Sequence, residues 1–169
     1  MTADRYRAVI GWFRARPAAK RLLRAASLGA VTAGYLLYAG LAFWRALHRD
    51  PLLWPFLAVP ALVFVLGTLL RQAIDRPRPY ETLAFTPLFP KDTRGQSFPS
   101  RHCFSAACIA VAAVRVSPVC ALILGVLALL IALTRVLSGV HYISDVLAGL
   151  VFGAAAAGAG YALWFHFVG

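Results

Sequence analysis

Five apolar runs, separated by charged turns, constrain this chain more than any other feature. A helical run of about 20 apolar residues crosses the hydrocarbon core of a bilayer, where no water can satisfy an open backbone. The pattern predicts helices over about 24–47, 52–70, 100–115, 118–133 and 141–167. The third and fourth are short for a full span, so their polar ends are expected beneath the membrane surface, in a water-accessible pocket. The 169 residues are 61% hydrophobic and only 14% charged, with a mean hydropathy of +0.74, which argues against a soluble domain. The fold expected is all-α: a single membrane domain over 1–169, a polytopic bundle of about five spanning helices behind a basic leader, 1–23.

The net charge of +11 raises nucleic acid as a partner. The basic residues, however, sit at the ends of apolar runs and form no soluble basic face with interleaved aromatics. The expected partners are membrane lipids, anionic ones in particular, and no nucleic acid. In the leader, Tyr6, Val9, Ile10 and Phe13 recur at helical spacing, flanked by Arg5, Arg7, Arg14 and Arg16. That pattern fits an amphipathic helix lying on an anionic membrane surface, or equally a solvated basic leader. The first apolar run starts near Ala25, is long enough to span, and reads as an uncleaved anchor. Cys103, Cys108 and Cys120 form no CxxC pair and lie in apolar segments, so they are expected to be small buried hydrophobes. Gly149, Gly153, Ala154 to Ala157, Gly158 and Gly160 let helices pack closely, within a chain or between chains, and leave the oligomeric state open.

Between Arg71 and Arg101 the composition turns charged and proline-rich, marking a long extramembrane loop of the kind that often carries function. Three polar clusters stand at its ends and beyond it. Arg71 and Arg78-Pro79 lie where the second spanning helix leaves the membrane. Arginine there is either a phosphate-matching fork or a snorkelling anchor. Phe98-Pro99-Ser100-Arg101-His102 precedes an apolar run. Ser100 suits a helix N-cap, a helix N-terminus is a ready anion site, and a histidine beside it can protonate a leaving oxygen. In Thr134-Arg135-Val136-Leu137-Ser138-Gly139-Val140-His141-Tyr142-Ile143-Ser144-Asp145, Ser138-Gly139 should break one helix so that His141 begins the next. The spacing of four would set His141 and Asp145 on one helical face as a dyad, the carboxylate holding the imidazole tautomer. The alternative is a structural His–Asp pair stapling the bundle. Ionisable groups at membrane depth are costly and usually mark a site.

In their joint order these clusters resemble the type-2 phosphatidic acid phosphatase superfamily, the membrane lipid phosphatases related to vanadium haloperoxidases. Its pattern of Lys-x6-Arg-Pro, Pro-Ser-Gly-His and Ser-Arg-x5-His-x3-Asp is met by Arg71 to Pro79, Pro99 to His102, and Thr134 to Asp145. The resemblance implies that His141 is a nucleophile carrying the phosphoryl group as phosphohistidine, oriented by Asp145, while His102 protonates the leaving lipid oxygen and then activates water. Arg71, Arg78 and Arg135 would clamp the phosphoryl oxygens, with Ser100 and Arg101 adding hydrogen bonds, the latter through its backbone N–H. It implies no cofactor and no metal, in keeping with a chain that groups no further carboxylates or histidines. Three departures stand out: Thr134 for serine, Arg71 for lysine, and Arg101 for glycine, which either adds a phosphate contact or crowds the pocket.

The resemblance implies a multi-pass cell-membrane enzyme that removes phosphate from a lipid phosphate substrate: a polyprenyl phosphate or diphosphate, phosphatidate or phosphatidylglycerophosphate. A phosphotransferase using the same histidine, a vanadate-dependent haloperoxidase and a catalytically silent lipid-phosphate binder are the alternatives. With five spans, the loop, the His141 turn and the N-terminus share one side. Outside the four motif arginines that side holds ten Lys and Arg against three on the other, which by the positive-inside rule is cytoplasmic. Six-helix bacterial members of the family face outwards, so the two indications conflict.

Overall fold

The computed structural model describes residues 1–168, and all regular structure among them is helical. In chain order the helices are α1 (Ala3–Arg14), α2 (Pro17–Leu47), α3 (Leu53–Ile74), α4 (Pro79–Thr82), α5 (Arg101–Ala113), α6 (Pro118–Leu137) and α7 (Ile143–Phe167). Prolines open α2, α4 and α6 within the first turn, where a missing N–H removes no helical bond. The α6 helix stops at Leu137 because Gly139 takes a φ of +75°, a left-handed turn that glycine adopts freely. The expected break at Ser138-Gly139 is therefore present.

Four helices, α2, α3, α6 and α7, are long and apolar enough to cross a membrane. Their outward faces carry exposed Leu36, Leu62, Leu122, Leu129 and Val151, as a lipid-facing surface requires. The fifth apolar helix, α5, has 13 residues, about 20 Å at 1.5 Å per residue. It is the central post of the bundle, with Cys103, Phe104, Cys108, Ala112 and Ala113 almost fully buried. The fourth predicted segment is not short: α6 gains four residues at its end and has 20, and the buried hydroxyl of Thr134 within it is paired by bonding back to Ile131 O at 2.8 Å.

Glycine sets how close α7 comes to α5. A Cβ on Gly149 would lie 2.8 Å from Ser100 O, and one on Gly153 would lie 2.2 Å from Phe104 O. The two helices thus meet backbone to backbone, the approach that small residues permit in lipid. The three cysteines are free thiols, Cys103 and Cys108 buried on α5 and Cys120 half-buried at the start of α6.

The leader does form a helix. Its apolar face covers protein: Ile10 and Phe13 pack with Leu23, Phe85, Leu88, Phe89 and Leu137, and Tyr6 stacks on Phe85 with ring centroids 5.1 Å apart. Arg5, Arg7, Arg14 and Arg16 remain exposed, while Arg14 also donates to Thr86 O at 3.0 Å. At the opposite end of the bundle Arg45 is buried against Asp50 at 2.5 Å and donates to Arg115 O at 3.3 Å. These contacts sort the turns into two ends, with α1, residues 75–100 and the His141 turn at one and the Arg45, Arg115 and C-terminal turns at the other.

Candidate active site

The last residues of α3 carry Arg71 into the bundle, 4% exposed, where Nη1 donates to Pro99 O at 2.5 Å. Arg78, 3% exposed, follows Asp75, whose left-handed φ of 40° ends α3. Its Nε donates to Gly95 O at 3.1 Å and its Nη1 to Val140 O at 3.3 Å. One guanidinium therefore ties the loop to the His141 turn. Ser100 takes the N-cap position of α5, yet its side chain caps nothing. Its backbone N–H donates to Asp145 O at 2.9 Å instead, leaving the buried Ser100 Oγ without a partner. A buried hydroxyl left unpaired is costly unless something binds there.

His141 does not begin α7, as the pattern had suggested. It lies in the turn, Tyr142 is the N-cap, and Asp145 is the third helical residue, accepting from Tyr142 N at 2.9 Å in a capping arrangement. From N3 the acid reaches back to the N–H of the N-cap residue, which it could not do from further along the helix, and this fixes where the helix can start. The pair meets nonetheless, Nδ1 of His141 being 3.5 Å from Oδ2 of Asp145. Burial pushes the His141 imidazole down to about 4, against the upward pull of the Asp145 hydrogen bond and with a further downward push from the Arg78 charge. At neutral pH the ring is uncharged and keeps a free nitrogen lone pair, as a nucleophile must.

Three residues around this pair carried no motif signal. Ser97, fully buried, donates to Asp145 Oδ2 at 2.5 Å and lies 3.4 Å from His141 Nδ1. Arg76 reaches Asp145 Oδ1 at 2.8 Å and Ser144 Oγ at 2.9 Å. Its guanidinium sits over the Tyr142 ring, 4.4 Å from the centroid. Asp145 is thus charge-balanced by Arg76 and held on both oxygens. Tyr6 donates to the backbone carbonyl of His141 at 3.1 Å, and burial, reinforced by the Asp145 charge, pushes its phenol up to about 12, so it stays a donor. The repeated Arg-Pro of 76–79 was the one hint in the chain for Arg76. Ser97 and Tyr6 arrive by folding alone.

Around His141 and His102 together the cations gather. Arg135 on the last turn of α6 has a buried Nε with no partner. Arg101, the first residue of α5, is exposed, so its side chain is not packed into the pocket. Lys91, from the loop, joins them: burial, together with the charges of Arg78, Arg135, Arg101 and Arg71, pushes its ammonium down to about 8. Among the described residues none of these five cations forms an ion pair with a carboxylate. Lys91 also borders an open cavity of about 630 Å3 beside Tyr80 and Arg94. His102 lies on α5, within the fields of Arg135, Lys91, His141 and Arg101. Every residue expected to form the site is therefore gathered at one end of the bundle, except the hydroxyl of Thr134, which is turned into its own helix. Among the described residues no three His, Cys, Asp or Glu side chains gather where they would hold a metal ion.

The family model of the PAP2 superfamily matches residues 52–168, which takes in all three motif clusters. The chain belongs to the PAP2 superfamily. Curated relatives include the lipid A 1-phosphatases of Rhizobium etli, 37% identical over 94 residues, and Rhizobium johnstonii, 37% identical over 95. These alignments cover 53% of this chain and 40% and 38% of those proteins. The chain thus spans less than half the length of the curated relatives it matches. Among solved structures, LpxE of Aquifex aeolicus superposes with a TM-score of 0.72 at 25% identity, covering 95% of this chain and 94% of that one. A PAP2-type phosphatidylglycerolphosphate phosphatase from Bacillus subtilis superposes with a TM-score of 0.62 at 24% identity, covering 96% and 93%. That likeness extends the shared PAP2 fold across α1 and α2, outside the family match.

Proposed function

We propose that this PAP2 protein is an integral membrane lipid phosphatase that hydrolyses a phosphomonoester or diphosphate of a lipid through a phosphohistidine on His141. The observation that carries the reading is a set of five cations without a carboxylate partner spread over two histidines, Arg71 and Arg78 beside a buried, neutral His141 held by a charge-balanced aspartate, and Arg135, Lys91 and Arg101 beside His102. Such a set favours an anion, and phosphoryl transfer asks mainly for positioning and charge neutralisation.

In the first step the ring nitrogen of His141 that faces away from Asp145 attacks phosphorus. The bond from phosphorus to the lipid oxygen breaks, and His102 delivers a proton to that oxygen. Asp145 accepts the Nδ1–H of His141 and balances the charge that develops on the ring, and Ser97 and Arg76 hold the carboxylate in place. Arg71, Arg78, Arg135 and Lys91 neutralise the phosphoryl oxygens, Ser100 Oγ and the N–H of Arg101 complete their hydrogen bonds, and Arg101 adds charge at the rim. In the second step water, deprotonated by His102, attacks the phosphohistidine and releases inorganic phosphate. The phosphate-facing groups are guanidiniums and an ammonium, which offer no lone pair to a metal, so the charge they supply stands where a metal would. The substrate class is a lipid phosphate of the kind named for the relatives and for the solved PAP2 structures, a lipid A 1-phosphate or phosphatidylglycerophosphate, with phosphatidate and polyprenyl phosphates as further members.

The test is phosphate release by the purified, detergent-solubilised protein from a panel of these lipids with a chelator present, alongside His141→Ala. Release abolished in the variant, with an acid-labile phosphoenzyme trapped in the wild type, is the expected result. Release that survives in His141→Ala refutes the histidine intermediate.

A further inference from the structure

Arg71, Arg101 and Arg135 are set on helices, which hold a side chain more precisely than a loop does. Arg78 is not: it lies on the stretch between the end of α3 and Pro79, the first residue of α4. A carboxylate with no part in the chemistry above fixes it there. Glu81 Oε1 accepts the backbone N–H of Arg78 at 2.8 Å and that of Gly95 at 3.0 Å, and Oε2 lies 3.3 Å from the same Gly95 nitrogen. The carbonyl of Gly95 in turn accepts from Arg78 Nε at 3.1 Å. Glu81 thus grips both the backbone of the arginine and the residue that holds its guanidinium, closing a ring from Arg78 through Glu81 and Gly95 back to Arg78. Gly95 is itself pressed in place: its φ is +60°, and a Cβ on it would stand 2.4 Å from Asp75 Oδ1, the atom that accepts from Gln96 N at 3.1 Å. Next along, Ser97 gives its N–H to Arg76 O at 2.8 Å and its hydroxyl to Asp145. The phosphate clamp and the nucleophile pair are therefore tied to one short stretch, 95–97, whose first residue Glu81 holds.

We propose that Glu81 is a positioning residue for the reaction: as a hydrogen-bond acceptor, it sets the Arg78 guanidinium against the phosphoryl group. The inference rests on the phosphatase reading, since the phosphoryl group is what Arg78 is positioned for. Electrostatics alone argues against an acid in this place. A carboxylate so close to a phosphate-binding arginine repels the phosphate, and Glu81 lines the same open cavity as Lys91. Among the described residues it pairs with no cation. Its bonds go to backbone N–H groups instead, and an ionised acceptor makes such bonds roughly twice as strong as a neutral one. The acid is therefore placed to hold the backbone, and the repulsion is what that hold costs.

Glu81→Ala removes the acceptor and should lower kcat/KM on the best lipid phosphate by on the order of a hundredfold, as a misplaced group does. Glu81→Gln keeps a carbonyl oxygen where Oε1 stands and should stay within about fivefold of the wild type. Arg78→Ala should lose at least as much as Glu81→Ala. The double variant should fall below Arg78→Ala by no more than about twofold, because nothing is left to position. Losses that multiply in the double variant are the sign of a general structural effect and would overturn the proposal. So would a Glu81→Gln as poor as Glu81→Ala, which would give the role to the charge, or a wild-type rate in Glu81→Ala. A wild-type protein that releases no phosphate from any lipid would sink the phosphatase reading instead. Glu81 is then judged with orthovanadate, a phosphate analogue, whose stabilisation of the protein in a thermal melt should survive in Glu81→Gln and be lost in Glu81→Ala. An equal shift in all three proteins, or none in the wild type, would refute the positioning role.

Discussion

Replacing Gly153 by alanine should disable the site without touching a group in it. The added Cβ would stand 2.2 Å from Phe104 O and 2.8 Å from Phe104 C and Cα, against the 3.4 Å at which ordinary contact begins. Those atoms belong to the backbone of α5, which has no rotamer to change, so α7 must back away by on the order of 1 Å. Overpacking of this kind costs about 1–3 kcal/mol. The catalytic cost should be larger, because Asp145 is on the first turn of α7, His141 just precedes it, and Ser100 N donates to Asp145 O from the α5 side. A misplacement of about 1 Å can cost on the order of a hundredfold. Gly149→Ala, whose Cβ would meet Ser100 O at 2.8 Å, should have a smaller but parallel effect. Gly158→Ala, with nothing within 4 Å, should have none. The assay is kcat on the best lipid phosphate together with a thermal melt in detergent. Wild-type kcat in Gly153→Ala, or equal losses in Gly153→Ala and Gly158→Ala, would refute the close approach of α5 and α7 as the device that aligns the site.

Two further outcomes follow from residues outside the motifs. Lys91, pushed down to about 8 by burial and four arginines, loses its charge as pH rises through that value. The free enzyme should therefore show kcat/KM falling on an alkaline limb near pH 8. Lys91→Arg, charged throughout, should remove the limb, and a limb unchanged in that variant would eliminate Lys91 as its source. Tyr6→Phe deletes one hydroxyl and keeps the stack on Phe85. Losing the bond to His141 O is worth about 1 kcal/mol, so kcat should drop roughly fivefold with KM unchanged, and an unchanged kcat would show that α1 does not position the nucleophile.

Much of the site was legible because its residues are out of place in their surroundings. An arginine or histidine at or within an apolar run has few reasons to be there, so Arg71, His102, Arg135 and His141 announced themselves, and their spacing, with the Arg78-Pro79 pair in the loop, ordered them into one pattern. Ser97, Lys91 and Tyr6 are polar residues in polar segments, where nothing local separates a ligand from a solvated side chain. Arg76 was visible only as a neighbour of Arg78, and its partner, Asp145, is 69 residues away in the chain.

The sequence by itself determined the all-helical membrane fold, the number of apolar segments and the identity of the motif residues. Each of these depends on hydropathy over a window or on spacing within a few turns, which the chain carries locally. Only the tertiary structure decided that α5 is the buried central post, that His141 precedes its helix, that Ser100 leaves its hydroxyl free, and that α1 packs against the loop and the His141 turn. Those outcomes depend on which backbone groups find partners and which surfaces meet, and both are settled by contacts between segments far apart in the chain: Ser100 N with Asp145 O, Tyr6 with His141 O, and Gly153 against Phe104.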